Sequence, residues 1–350
     1  MINLPDLKTA NVKAKKVFLR IDLDVPIEKG QIEDDTRLLD GFDSLNYLLD
    51  NGAHVILAGH LGRPEGKDEK LSLKPIADWY AQKFHSTVKE GKLGDFDGWQ
   101  ILNNIYLLEN LRFYKEEEAN DPVFSQKLAS LTEIYVNDAF ASSHRNHSSI
   151  VGIAELLPHF AGFMLKKEID TLSMLMDNPK RPFTVVIGGA KIETKLPVVE
   201  KMHRIADYVL VGGLIAEETK VLLKVQHEKL VERKSALLVA DLNGDETDIT
   251  SKDAENFLQI LSLAKTIVWN GPVGKTEGHE ENLEIGSAKL AKGIVESGAY
   301  TVVGGGDTIS YLKKIRLLDK FYFISTGGGA MLEFLSGEKL PGVEVLKGSN

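Results

Sequence analysis

Apolar residues in this chain fall into short, nearly unbroken runs, separated by stretches in which apolar and polar positions recur at helical spacing. The runs Val17–Asp22, His54–Gly59, Ile105–Glu109 and Ile134–Asn137 predict strands of one sheet. Phe183–Ile187, Tyr208–Val211, Ala236–Ala240, Thr266–Trp269, Tyr300–Val303 and Phe321–Ile324 predict strands of another. Continuous rather than alternating apolar runs are expected where both faces of a parallel sheet are covered. Helical segments lie between them, such as Arg37–Leu49, which Gly52 would close just past its end. Strand and helix repeating in this way predict an α/β fold of doubly wound parallel sheets.

At 350 residues the chain exceeds what one core usually spans, so two domains are expected. The polar, proline-bearing stretch Asp177–Asn178–Pro179–Lys180–Arg181–Pro182 marks a break before a fresh strand. Phe163–Met176 before it reads as a joining helix. The expected division is a first domain over 1–162, a linking helix over 163–178 and a second domain over 179–339.

Composition narrows the function. With 43% apolar and 27% charged residues, the chain reads as an ordinary globular protein. A net charge of −9 argues against nucleic acid or an anionic membrane as partner. No cysteine is present, which excludes disulfides, thiolate catalysis and thiolate metal sites. Met1–Ala10 has no apolar core of signal-peptide length, and no run is long enough to span a bilayer, so the cytoplasm is expected. Nothing in the sequence demands an oligomer, and a monomer is expected.

The loops then sort by charge. Those of the first half carry Arg37, Arg63, Arg112 and Arg145, with His60 and His144 close by. Residues 1–177 hold 20 lysines and arginines against 28 aspartates and glutamates, so these arginines are no by-product of a basic composition. Arginines on separate loops suit a small, multiply charged anion. In the second half, Gly188–Gly189, Gly304–Gly305–Gly306 and Gly327–Gly328–Gly329 each end an apolar run. A strand ending in glycines and opening a helix is a phosphate cradle. Two kinds of anion site, one per half, suggest two phosphorylated ligands.

Individual residues carry paired readings. Lys191 and Lys195 lie one turn apart at the start of a helix, where like charges repel and cations oppose the macrodipole. They are either solvated surface lysines or partners of a phosphate. Arg37 follows the capping residues Asp34–Asp35–Thr36 into a first helical turn, also disfavoured for a cation. It pairs with Asp34 or Asp35, or acts on developing negative charge. His60 and Arg63 follow a strand at the sheet edge where doubly wound proteins bind ligands. Asp22 and Asp24 either cap backbone amides or grip substrate hydroxyls. Asp307, before Thr308, is either a helix cap or a ligand to nucleotide-bound magnesium. Gly271–Thr276 imitates a Walker A loop, but Trp269 stands where that pattern requires its first glycine.

Taken together the motifs resemble the phosphoglycerate kinase family. The segments are RIDLDVP at Arg20–Pro26, HLGRP at His60–Pro64, ENLRF at Glu109–Phe113 and VNDAFASSHRNH at Val136–His147. In the second half they are GGAKIETK at Gly188–Lys195, WNGPVG at Trp269–Gly274, GGGDT at Gly304–Thr308 and STGGGAMLEF at Ser325–Phe334. The resemblance implies phosphoryl transfer between 1,3-bisphosphoglycerate and ADP, giving 3-phosphoglycerate and ATP, with Mg2+ accompanying the nucleotide. It implies a glycerate site of Asp22, Asp24, Arg37, His60, Arg63, Arg112 and Arg145. It also implies a nucleotide site of Lys191, Lys195, Gly212, Glu277, Gly304, Gly305, Gly306, Asp307 and Thr308, with Asp307 meeting the metal. Arg37, Lys191 and the loop amides at Gly305 and Gly328 would share the catalysis. A cleft and hinge between the domains follow from ligands held on each, and the tail 340–350 would return to the first domain.

Three features depart from the family pattern. Asp24 stands where asparagine is usual, placing an anion near an anionic substrate. The stretch Gly213–Asn270 is several dozen residues short, and Leu214–Thr219 replaces a segment of the base pocket, with Asp248–Ile249–Thr250 a faint remnant of another element. Lys275–Thr276 replaces an apolar pair before Glu277. The phosphate end of the nucleotide site is therefore expected intact and the base end rebuilt. The competing readings are a non-catalytic paralogue and a dinucleotide-dependent dehydrogenase. No Gly-x-Gly-x-x-Gly turn supports the dehydrogenase.

Overall fold

The computed structural model describes residues 2–226, 235–278, 282 and 285–347. Residues 348–350 of the expected returning tail and 227–234 of the shortened stretch lie outside the described residues. Two compact units result, one of 1–171 with 339–350, the other of 172–338. The division falls inside the helix Phe163–Asp177.

The first unit carries β1 (Lys16–Arg20), the hairpin β2 (Ile27–Glu28) and β3 (Gln31–Ile32), β4 (His54–Ala58), β5 (Lys89–Leu93), β6 (Phe96–Leu102), β7 (Ile105–Leu108), β8 (Ile134–Asn137) and β9 (His159–Ala161). Its sheet runs β5-β6-β7-β4-β1-β8-β9. The strands β7, β4, β1, β8 and β9 are parallel, while β5 and β6 add an antiparallel edge. That edge departs from the purely parallel sheet expected from the apolar runs. Its outer strand Lys-Glu-Gly-Lys-Leu is almost wholly exposed and has no apolar run to announce it. The central strands are buried on both faces, with Val17, Leu19, Val55, Leu57 and Val136 packed in one core.

The expected helix Arg37–Leu49 is two, Thr36–Asp40 and Phe42–Asp50, broken at Gly41. A side chain there would meet Ile21 Cγ2 at 3.3 Å. Gly52 follows the second helix with φ +74°, the left-handed conformation expected of it. Within the same unit, Gly342 N–H donates to Ser143 O, and Asn137 Nδ2 donates to Gly342 O, at 2.9 and 3.2 Å.

The second unit has β10 (Phe183–Ile187), β11 (Tyr208–Val211), β12 (Ala236–Val239), β13 (Thr266–Asn270), β14 (Tyr300–Gly304) and β15 (Phe323–Ser325). All six are parallel, in the order β12-β11-β10-β13-β14-β15. The order reverses at β10, where β11 and β13 flank it. Ligands of open α/β sheets bind beyond the carboxyl ends of strands at such a switch point.

Candidate active site

In the second unit the glycine loops leave those strand ends. Helices Ile192–Ile205, Gly306–Lys314 and Gly328–Ser336 begin at Lys191, Gly305 and Gly327, and none of these residues caps its helix with a side chain. By contrast Thr250 caps Ser251–Leu263 by accepting from Asp253 N. The three glycine-loop helices thus leave their first-turn amides unclaimed by caps, as an anion requires. Two of them converge: a Cβ on Gly328 would lie 3.3 Å from Gly305 Cα.

Gly305 has φ +92°, and a Cβ there would stand 3.1 Å from Asn270 Oδ1. Gly305→Ala should therefore cost about 1 kcal/mol or more and lower the melting temperature. An unchanged melting curve would show that the loop tolerates the strain.

The lysines divide their tasks. Lys191 is exposed at the head of its helix. Lys195 is buried and turned inward, where its Nζ donates to Gly188 O and to Asn270 Oδ1 at 3.2 Å. Burial lowers its pKa to about 8, with Lys191 adding to the fall and Asp307 opposing it. Lys195 thus braces the Gly188 loop against β13 in this state. Asp307 is exposed in the first turn of its helix and does not hold the cap position, one of its two readings, which Gly305 takes. Thr308 is buried and accepts from Gly271 N at 2.9 Å, tying two loops together. Gly304 lies under Met331, Gly306 opens to space, and Gly212 packs against Val273.

A cavity of about 510 Å³ opens beside these loops. Gly189 and Asp307 line it, as do Leu214, Leu242, Pro272 and Tyr311. Lys275, Thr276 and the exposed Glu277 line it as well. The Leu242–Ile249 turn that contributes to it is pinned by Asp248, whose Oδ2 accepts from Gly286 N at 2.6 Å. Lys275 N donates to Thr247 O at 2.6 Å. The Walker-like segment Gly271–Thr276 is part of this wall, and among the described residues the next helix begins at Gly286. Sequence reasoning missed Asn270 and the Leu242–Thr247 turn. The turn's signal was the Asn-Gly-Asp run.

In the first unit the basic residues gather around His60. Arg112 is buried, with Nη1 donating to Gly62 O at 2.6 Å and Nε lying 3.3 Å from Glu118 Oε1. Its buried Nη2 has no hydrogen-bond partner. Burial and Arg145 lower its pKa to about 10. Arg145 is half-buried and Arg63 exposed. Asp24 Oδ1 accepts from Gly62 N at 2.9 Å. Arg37 Nη1 donates to Asp24 O at 2.6 Å and lies 3.9 Å from Asp24 Oδ2. Asp34 Oδ1 accepts from Thr36 N at 3.0 Å. Asp22 accepts from Ala141 N and Ser142 Oγ, both at 2.9 Å, so its carboxylate holds the loop that carries Arg145. Both aspartates therefore meet the first of their two readings, as braces for arginine-bearing loops.

Three histidines share this environment. Burial, reinforced by Arg20, Arg112 and Arg145, holds His60 well below the ordinary value. Burial with Arg145 lowers His144 to about 4, and burial with Arg112 lowers His147 to about 3. The folded state therefore binds fewer protons than the unfolded one below the ordinary 6.5, and acidification through that range destabilises it. Asp138, raised to about 6 by burial, works in the opposite direction between about 6 and its ordinary value. Glu117, raised by burial, opposes the histidines as well; with three groups against two, the urea midpoint should be lower at pH 5 than at pH 7. His147→Gln should narrow the gap, and an equal midpoint at both pH values would refute the assignment.

Comparison with known proteins decides the family. The phosphoglycerate kinase family model matches residues 7–244 and 218–338. The chain belongs to the phosphoglycerate kinase family. It is 38% identical over 391 residues to phosphoglycerate kinase from Dictyoglomus turgidum, covering 98% of each chain. It is 37% identical over 393 residues to cytosolic phosphoglycerate kinase 3 of Arabidopsis thaliana, covering 97% of each. The structure of phosphoglycerate kinase from Coxiella burnetii superimposes with a TM-score of 0.83 at 29% identity, over 98% of this chain and 99% of that one. That from Pyrococcus horikoshii gives 0.79 at 30%, over 99% and 98%.

These alignments span more positions than the 350 residues here, so the relatives carry segments this chain lacks. The two stretches matched by the family model overlap at 218–244, inside the region expected to be short. The kinase is a phosphotransferase with a carboxyl acceptor, acting between 1,3-bisphosphoglycerate and ADP. The relatives give no support to a non-catalytic paralogue. Among the described residues no helix is long and apolar enough to cross a membrane.

Proposed function

We propose that the first unit binds the glycerate substrate through Arg37, His60, Arg63, Arg112 and Arg145, and that the second binds ADP or ATP in the 510 Å³ cavity. The observation that carries this reading is the set of three uncapped helix N-termini, with Lys191 and Asp307 at two of them. Asp22 and Asp24 position the arginine-bearing loops in this reading, and Lys195 and Thr308 position the glycine loops.

An exposed carboxylate at the head of a glycine-loop helix fits magnesium that arrives with the nucleotide, since that ion takes one or two carboxylates and completes its shell with phosphate oxygens and water. Asp307 would hold it, and the ion would neutralise phosphate charge. Among the described residues no group of three or more metal-ligating side chains suggests a site independent of nucleotide.

In the ATP-consuming direction the nucleophile is a carboxylate, ionised at neutral pH, so no general base is required. The residues' work is positioning and charge neutralisation at the transferring phosphoryl group. Arg37 and Lys191 supply cations, and the amides at Gly305 and Gly328 supply fixed donors. Ligands held on separate units have to approach for transfer, so hinge closure belongs to the proposal, as does the exclusion of water that it brings. We also assign the protein to the cytoplasm as a monomer.

The Leu242–Thr247 turn and Leu214 stand in for the missing base-pocket segment, and the turn brings Leu242, Glu246 and Thr247 to the cavity. The test is a coupled assay of 3-phosphoglycerate-dependent consumption of ATP, GTP, CTP and UTP. Turnover with ATP is expected, with GTP close behind. Folded protein inactive with every triphosphate would refute the site assignments.

A further inference from the structure

A buried relay behind His60 has no place in the phosphoryl chemistry just described. Arg20, in the middle of the apolar sheet, is 1% exposed. Its Nε donates to Ser149 Oγ at 2.9 Å, and its Nη1 donates to Ile21 O. Ser149 in turn donates its hydroxyl to Glu117 Oε1 at 2.6 Å and its backbone N–H to Glu117 Oε2 at 2.9 Å. Glu117 is also 1% exposed, and Ser149 is fully buried. Every proton in the chain therefore points one way, from guanidinium through serine to carboxylate. A serine has one proton to give, and because Glu117 takes it, Ser149 can only accept from Arg20.

The other end of Arg20 meets the site. Its Nη2 lies 3.0 Å from His60 Nδ1. A guanidinium has no acceptor and stays protonated, so Nδ1 must be the acceptor in this bond. A neutral imidazole has one N–H, which then resides on Nε2. Among the described residues His60 Nε2 has no hydrogen-bond partner. Glycerate's carboxylate and phosphate oxygens are acceptors, so the tautomer decides whether His60 attracts or repels them.

We propose that Arg20, held by Ser149 and Glu117, is a positioning residue that locks His60 as the Nε2–H tautomer, a neutral donor ready for an anionic oxygen of the glycerate ligand. The inference rests on the reading of His60 as part of the glycerate site. Neutrality has a use here: a donor that needs no proton uptake keeps glycerate binding free of a titration near neutral pH. Arg112, Arg145 and His147 face the same ring, and none of them offers a carboxylate that would draw the proton to Nδ1.

The test is 15N spectroscopy of histidine-labelled full-length protein without ligands, with His60 assigned by loss of its signals in His60→Gln. The expected spectrum has Nδ1 unprotonated and Nε2 protonated. In Arg20→Met the two tautomers should mix, and KM for 3-phosphoglycerate should rise roughly tenfold or more while KM for ATP holds. Arg20→Lys, which keeps a donor, should restore the single tautomer and part of the affinity. Ser149→Ala, a gentler change, should give a smaller shift in the same direction. A proton on Nδ1 in the unmodified protein overturns the proposal, whether or not the Arg20 variants fold. So does a tautomer ratio unmoved in Arg20→Met. The spectrum is read without turnover, so a kinase inactive toward 3-phosphoglycerate would sink the site assignment and leave the tautomer standing.

Discussion

Arg37→Ala should lower the catalytic rate by roughly a hundredfold or more and leave KM for ADP near its original value. The side chain contributes little to the fold. It is partly exposed, its Nη1 donates to a backbone oxygen, and its ion-pair distance to Asp24 is 3.9 Å. A contact of that kind is worth at most about 1 kcal/mol at a surface. Its position in a first helical turn is electrostatically unfavourable. A guanidinium there acts on charge that appears only as the phosphoryl group moves. Steady-state kinetics with both substrates varied separates the cases. A fall in ADP affinity with the rate preserved would place Arg37 at the nucleotide instead.

Asp307→Asn should weaken MgATP binding by roughly tenfold or more, the loss expected when a charged ligand becomes neutral. Binding of ATP without magnesium should hold or improve, because the substitution removes an anion beside the phosphates. Titration calorimetry with and without the ion reads both effects. The residue is exposed and does not cap its helix, so thermal stability should change by no more than about 1 kcal/mol. Equal weakening with and without magnesium would mean that Asp307 contacts the nucleotide itself and not the ion. The substitution also removes the charge that supports protonation of Lys195, whose pKa of about 8 should fall further.

Much of the second unit was legible along the chain. Its six strands each announce themselves as a short apolar run, as strands of a parallel sheet covered by helices do. The glycine loops were legible for a similar reason: φ of +92° at Gly305 and the close approach of Gly328 are demands that a single residue type meets. The first unit was less open. Its edge strand Lys89–Leu93 has no apolar signature, because it is held by pairing to β6 and not by burial.

By itself the sequence determined which chemistry was available: anion-binding loops of two kinds, no thiol, and arginines that the local charge balance does not explain. Tertiary structure decided which of those side chains stay exposed and which turn inward to brace a loop. Lys191 and Lys195 look equivalent in sequence, yet one is exposed and the other turns inward to Gly188 and Asn270. Asp22 reaches Ser142 across 120 positions, and Arg20 reaches Ser149 across 129. Asp24 joins Arg37 to Gly62 in the same way. Side-chain direction and proton order are properties of such long-range contacts. A pattern read along the chain carries local conformational preference, and that preference ends within a few residues.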